Sequence, residues 1–376
     1  MLVYLGEEYD LAVATAEQPA TKGRGKPSLS AQEGRLAYWL LVPTLVVLLA
    51  IAFYPLGSVF YSSFTDDTFA SAADTNFVGF QNYSDLLSVK FVELPLEVDP
   101  ETGQQVIDPE TGAPEHVSPV QVLPREPRRY SEVFTFGLFG NQYVLAGTDP
   151  DFILSIFDTL IFTLVTITLE ALLGLGIALT LSVPFRGRGG MRAAMLVPWA
   201  ILTAVSSRIW EWMFVDTRAG FFNVIFQKLG FTDGQTAWLA DESLQLPAAI
   251  VIDVWKTTPF MALLLLAGLA LIPSEMYEAA EVDGASKWRQ FTSITLPLLK
   301  PTLAVALVFR TLDALRVFDL FQIVFAQSKY SMASFAYYEL IDSQRLGYSS
   351  AASVVIFLLI TIFAIIYIRS LGITND

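Results

Sequence analysis

The sequence predicts an all-α integral membrane protein with six transmembrane helices, and three observations carry that expectation. The 376 residues are 53% hydrophobic and only 16% charged, with a mean hydropathy of +0.51, whereas soluble domains run nearer a quarter charged. Several apolar runs reach about 20 residues, the length that spans a ~30 Å hydrocarbon layer. Lys and Arg gather at alternate ends of those runs, as they do in multi-pass membrane proteins. Because a backbone in lipid must satisfy its own hydrogen bonds, each run reads as a helix.

The expected spans are Leu36–Phe60, Ile156–Val183, Ala193–Phe214, Leu246–Ile272, Thr302–Ala326 and Ala351–Ile368. Pro43, Pro55, Pro198 and Pro259 fall within or near them, which a packed bundle tolerates when neighbours re-satisfy the freed carbonyls. Residues Met1–Gly34 lack an apolar core followed by a small-residue cleavage site, so the first span is expected to stay as an anchor. Lys22, Arg24, Lys26 and Arg35 precede it; Arg186, Arg188 and Arg192 lie between the second and third spans; Lys287, Arg289 and Lys300 lie between the fourth and fifth; Arg369 follows the sixth. All fall on one face if the tails, residues 1–35 and 369–376, are cytoplasmic.

The opposite, extracytoplasmic face then carries the insert 61–155, rich in Asp, Glu, Pro and Gly, with "DPETG" at Asp99–Gly103 and again at Asp108–Gly112. Pro, polar residues and Gly in that order are turn chemistry, so the insert reads as a small hairpin-bearing module. It is either a docking surface for an external partner or an acidic, solubilising insertion. The chain has no cysteine, which excludes disulfides and thiolate metal sites. Its one histidine, His116, sits in this polar region and reads as a solvated loop residue.

On the cytoplasmic face, the segment 273–297 is too patterned to be a slack connector. Ser274 is placed to cap a helix with Glu275 in its first turn. Met276, Tyr277, Ala279, Ala280 and Val282 give that helix an apolar side. Gly284 suits a left-handed end. A second short helix from Ser286 would align Trp288, Phe291 and Ile294 along one stripe and stop at Leu296-Pro297. Two short helices meeting at a glycine make a rigid projection.

Glu278-Ala279-Ala280, then Gly284-Ala285, then Ile294-x-Leu296-Pro297 resembles the coupling motif of permease subunits in binding-protein-dependent ABC importers. "FVGFQNYSDLL" (Phe77–Leu87), "FRGRGGMRAAMLVPWA" (Phe185–Ala200), "VIDVWKTTPFM" (Val251–Met261) and "FDLFQIV" (Phe318–Val324) are similar to its carbohydrate, maltose-type branch. The resemblance spans about residues 36–368. Where that family often has a Gly-Gly-Pro turn after the fifth span, this chain has "AQSKYSMASF" (Ala326–Phe335). The resemblance implies that the projection docks on an ATP-hydrolysing subunit, Glu278 facing basic groups there. It further implies a second homologous permease, two ATP-binding cassette subunits, an extracytoplasmic substrate-binding protein and a prokaryotic inner-membrane location. ATP and Mg would belong to the partner ATPase, with no cofactor and no nucleic acid for this chain. "GRGKPS" (Gly23–Ser28) has the wrong spacing for a phosphate-binding loop.

Ionisable groups inside spans cost about 2.5–3.5 kcal/mol each on insertion scales and tend to face a bundle interior or a watery path. Arg310, Asp313, Arg316 and Asp319 alternate in sign every third residue of the fifth span. They either neutralise one another along the helix or line a pocket. Asp253 and Lys256 are open to both readings, while Glu170 and Glu211 read as lone acids. Carried over from the resemblance, the substrate pathway would be lined by Trp199 and Thr203, by Asp253, Thr257 and Phe260, and by Asp313 and Arg316. The expected function is therefore a non-catalytic permease subunit importing a sugar. The alternative, a secondary transporter coupled to ions through the charged fifth helix, leaves the cytoplasmic projection unexplained.

Overall fold

A computed structural model of the chain describes residues 29–71, 74–99, 101–107, 112 and 114–370. The Gly23–Ser28 stretch, residues 108–111 of the second DPETG copy and the chain after Ser370 lie outside them, as does most of the expected N-terminal tail.

The first helical stretch comprises α1 (Leu29–Leu48), a π-helical turn at Leu49–Phe53 and α2 (Tyr54–Ser62). Pro55 follows the π turn by two residues, and the helix runs through it. A proline lacks the N–H of an α-helical bond and its ring crowds the carbonyl four residues back; a wider π turn moves that carbonyl aside. The same device recurs near Pro297, below.

The insert is not helical throughout, so the chain is not all-α. After α3 (Gln81–Leu87) come β1 (Val89–Leu94), the short α4 (Pro119–Val122), β2 (Ser131–Leu138) and β3 (Asn141–Gly147). The three strands form an antiparallel sheet in the order β1-β3-β2. One of its faces packs Leu94, Val144 and Ala146 with Leu123 into a small core, as alternation of side chains across a pleat requires. Between β1 and α4 the chain makes an arm of isolated bridges, Leu96 with His116, Val98 with Gln105 and Ile107 with Pro114. His116 is therefore paired in that arm and half-buried, not a free loop residue.

The helical core is made of α5 (Pro150–Ser182), α6 (Arg188–Ala200), α7 (Thr203–Met213), α8 (Phe221–Lys228), α9 (Glu242–Ala270), α10 (Ser274–Val282), α11 (Lys287–Gln290), α12 (Leu296–Ala314), α13 (Asp319–Val324), α14 (Met332–Ile341) and α15 (Leu346–Ser370). Among the described residues five helices are long and apolar enough to cross a membrane, or six if α6 and α7 count as one broken span. The expected third span is thus not a straight crossing: α6 and α7 meet at 90°, because Ile201 and Leu202 are extended, with ψ of 135° and 137°. The expected fifth span is also shifted. Its helix is under way before Leu296 and stops at Ala314, and residues 315–318 break it before α13. The stretch Ala326–Phe335 turns at Ala326, whose φ is +50°, and restarts where the Ser331 side chain caps α14 in a reciprocal capping box.

Three apolar clusters run through this core. Phe152, Met332, Phe335, Ala351 and Val355 pack at the end near the insert. Phe162, Ile252, Ala314 and Phe321 pack in another, and Ala178, Met261, Leu265 and Leu299 in the third. Small residues let the helices approach. A Cβ on Gly174 of α5 would lie 2.8 Å from the Met261 Cγ and 3.1 Å from the Ala262 backbone nitrogen of α9. Gly174→Ala is expected to lower the thermal unfolding midpoint of the purified chain through overpacking of about 1–3 kcal/mol. Gly176→Ala, which meets open space, should leave the midpoint where it is; equal behaviour of the two variants would contradict the close α5–α9 contact.

Candidate functional site

The centre of the helical core holds a guanidinium. Arg310 of α12 is 3% exposed and meets carboxylates from three helices. Its Nε and Nη2 donate to Glu170 of α5 at 2.6 and 2.8 Å, a bidentate pair. Nη2 also donates to Asp253 of α9 at 2.8 Å, and Nη1 to Asp313, one turn along α12, at 2.6 Å. Glu170 is fully buried and also accepts from the Thr257 hydroxyl of α9. Charge-assisted bonds of this geometry are the strong kind, and each remaining lone pair that finds a donor lowers the cost of burying the charge. Lys256, three residues after Asp253, donates instead to the Ile201 carbonyl at 2.8 Å, so α9 holds the bend between α6 and α7. Glu211 is not alone either; it pairs with Arg208 at 2.6 Å.

Pairing along the fifth helix therefore holds for one couple, Arg310 with Asp313. The strongest partner of Arg310 comes from a helix 140 residues away in sequence. Arg316 lies in the break after α12, and Asp319 begins α13. Beside the cluster opens a cavity of about 240 Å³. Thr203, Asp253, Thr257, Asp313 and Arg316 all line it, as do Lys256 and Asp319. Trp199 and Phe260 are brought together elsewhere, stacked on each other with centroids 5.6 Å apart and planes 12° apart. Glu170 was hidden from sequence reasoning because no local spacing links it to Arg310. Opposite charges isolated in two long apolar runs are the signal that could have joined them.

The second feature is the segment between α9 and α12. Pro273, not Ser274, occupies the N-cap of α10. The helix ends in a Schellman-type turn: the Ala285 N–H reaches the Ala280 carbonyl at 2.8 Å, with Gly284 left-handed at φ +74°. Ser286 then caps α11, accepting from the Arg289 N–H at 3.3 Å. An ion pair between Glu281 and Lys287 crosses the turn and holds the Glu281 carboxyl below its usual range. The hydroxyls of Tyr277 and Thr295 meet at 2.9 Å and pin α10 to the next helix. That next helix does not stop at Leu296-Pro297. A π turn at Phe291–Thr295 lets it pass through Pro297 and continue as α12. The projection is thus one short helix, a glycine turn and the rigid start of a membrane span. Glu278, Ala279, Gly284, Leu296 and Pro297 are exposed on it, while Ala280, Ala285 and Ile294 are half-buried. Val282 and Trp288 are 89% and 73% exposed, an unusual amount of free apolar surface beside charged residues.

The structure thus combines membrane-length helices, a buried ionic cluster and a helix-turn-helix projection between two of those helices. The family model "Binding-protein-dependent transport system inner membrane component" matches residues 136–371, and the chain belongs to that family. It is 44% identical over 234 residues to the trehalose/maltose transport system permease protein MalF of Thermococcus litoralis, an alignment covering 61% of this chain and 77% of that protein. It is 31% identical over 342 residues to the trehalose transport system permease protein SugA of Mycobacterium tuberculosis, covering 90% of each. Among solved structures, a chain of a bacterial ABC transporter that imports the acidic polysaccharide alginate superposes with a TM-score of 0.63 at 19% identity. That match covers 92% of this chain and 98% of that one, and it bears on the fold.

Removing one partner from a buried, hydrogen-bonded ion cluster leaves charge without compensation. Arg310→Met is therefore expected to destabilise the purified chain by about 3–5 kcal/mol in thermal or denaturant unfolding. Asp313→Asn, at a carboxylate 60% exposed, should cost under about 1 kcal/mol. A reversed order would contradict a cluster that rests on the buried bonds of Arg310 to Glu170 and Asp253.

Proposed function

We propose that this chain is the non-catalytic permease subunit of an ATP-driven importer that brings a sugar across the prokaryotic inner membrane. It pairs with a second, homologous permease to form the path; two ATP-binding cassette subunits supply the energy and hold ATP and Mg. An extracytoplasmic binding protein delivers the solute at the face that carries the insert, and both chain termini are cytoplasmic. The observation that carries this reading is the family match over residues 136–371, which includes the whole projection around Gly284. The names of the relatives, permeases for trehalose or maltose, support a disaccharide or short oligosaccharide as the solute.

The geometry adds physical reasons. Exposed Glu278 and Ala279 beside half-buried Ala280 present a small, acidic surface that a basic groove could approach closely, and the Schellman turn makes it stiff. Because α11 runs without a stop into α12, a push on the projection reaches Arg310 and Asp313 through one rigid rod. The cavity lined by Thr203, Asp253, Thr257, Asp313 and Arg316 offers donors and acceptors for sugar hydroxyls. Its 240 Å³ is below the ~300–1,000 Å³ of ordinary ligand pockets, so the second permease would complete the site. The stacked Trp199 and Phe260 supply an aromatic face for a sugar ring on the same path. Of the fifth-helix charges, Arg310 is bonded to Glu170, Asp253 and Asp313, which takes that couple out of a free ion-coupling array.

Two tests bear on this. In vesicles carrying the complete transporter, uptake of labelled trehalose or maltose is expected to need internal ATP and to survive a collapsed ion gradient; uptake without ATP would overturn the reading. Glu278→Lys and Gly284→Asp are expected to release the ATPase from the membrane or uncouple hydrolysis from uptake, with the fold intact by thermal unfolding. Unchanged association and transport in both variants would remove the projection from the mechanism.

A further inference from the structure

The face of the insert's sheet opposite its small core is aromatic and uncovered. Register places Phe91 of β1, Tyr143 and Leu145 of β3, and Phe134 and Phe136 of β2 on that one face. Phe91 stacks on Tyr143 at 5.0 Å and meets Phe136 at 5.5 Å; Phe136 meets Phe134 at 5.8 Å. Phe91 is 57% exposed. At the β2–β3 turn, Phe139 is 98% exposed with φ at +53°. Such turns favour Asn, Asp or Gly, and a bulky side chain there is strained. Nothing among the described residues repays a bare phenyl ring in that position.

The direction of the hairpin says what does. A Cβ on Gly147 would touch both Val133 and Ile153 at 3.3 Å, so the base of the hairpin sits on the first turn of α5. One residue nearer the tip on β2, Phe134 meets Phe157 edge-on at 5.5 Å, one turn further into α5. Both contacts hold the hairpin's base against the first two turns of α5, on the side that carries Phe157. At 33 residues and 1.5 Å each, α5 is about 50 Å long, some 20 Å more than the ~30 Å hydrocarbon layer. Shared between its ends, the excess puts Phe157, about 10 Å from the start of the helix, at the boundary between headgroups and acyl chains. Phe157, Ile161 and Leu164 are exposed along one stripe of α5, at the spacing of a lipid-facing side. The aromatic face of the sheet continues that stripe.

We infer that the β2–β3 hairpin is an interfacial anchor: Phe91, Phe136, Phe139 and Tyr143 are buried in the headgroup layer of the leaflet on the insert's side. Aromatic side chains favour that layer, where an apolar ring body and a polar surround are both satisfied. Glu93 lies on the same face, bonded to Asn141 at 2.7 Å. A carboxylate there limits the depth to the headgroups and keeps the hairpin out of hydrocarbon. The anchor would fix the height at which the rest of the insert stands above the bilayer.

The chain's lack of cysteine makes the test direct. Phe139→Cys and, on the other face of the same hairpin, Thr135→Cys are each spin-labelled in the full chain reconstituted into lipid vesicles. Both positions are exposed, so neither substitution removes packing. The ratio of relaxation by oxygen to relaxation by a water-soluble nickel chelate should be several-fold higher at 139 than at 135. Equal ratios would place the tip in water and overturn the proposal. Shielding of position 139 from both relaxants would also overturn it, since that is the signature of a protein contact in place of lipid.

Discussion

A guanidinium that has lost its water needs acceptors for its donors and negative charge to balance it, and the position of Arg310 makes that demand felt by three helices at once. Its fork is filled by Glu170 from α5, Asp253 from α9 and Asp313 from its own helix. The geometry leaves little freedom: two bonds go to one carboxylate, and Thr257 fills another site on it. Apolar contacts between these helices are non-directional and would tolerate sliding. The ionic cluster has a definite register, so it selects one arrangement among the many that greasy surfaces alone would accept.

Two consequences radiate from it. On one side, Lys256 is free of the cluster's bonds and holds the Ile201 carbonyl, so the bend between α6 and α7 is tied to the same helix that carries Asp253. The cavity formed there is walled by polar and ionic groups already oriented by their neighbours. On the other side, the helix of Arg310 runs back through Pro297 and the π turn at Phe291–Thr295 to Lys287, just past the turn at Gly284. The projection and the cluster are therefore carried on one continuous helical stretch.

The sequence made some of this legible and hid the rest for identifiable reasons. Gly284 and the exposed residues around it were readable because left-handed geometry and small, charged surface residues leave strong local marks. The spans at α5, α9 and α15 were readable from length and apolarity. Leu296-Pro297 misled, since the rule that a residue before proline leaves helical geometry does not anticipate a compensating π turn. The straight third span failed at Ile201 and Leu202, whose apolar character fits a helix as well as an extended break. The hairpin expected from the DPETG turns lies in the arm, around Asp99–Gly103, while the three-stranded sheet went unread, its strands separated by that arm and interrupted by the bulge between Glu132 and Phe134. Glu170 looked solitary because its partner lies on a helix remote in sequence, and local spacing rules see only Asp313. Of the proposed path residues, Thr203, Asp253, Thr257, Asp313 and Arg316 share a cavity while Trp199 and Phe260 pair apart from it, a division that sequence register could not draw.

The claim that the core is organised by the bond between α5 and α12 is tested most directly by a double-mutant cycle on Glu170→Gln and Arg310→Met, read by unfolding of the full chain in lipid nanodiscs. Strong coupling is predicted, toward the upper part of the roughly 0.5–3 kcal/mol seen for contacting residues, with the double variant more stable than the sum of the single losses implies. Additive losses, with coupling near zero, would contradict the account.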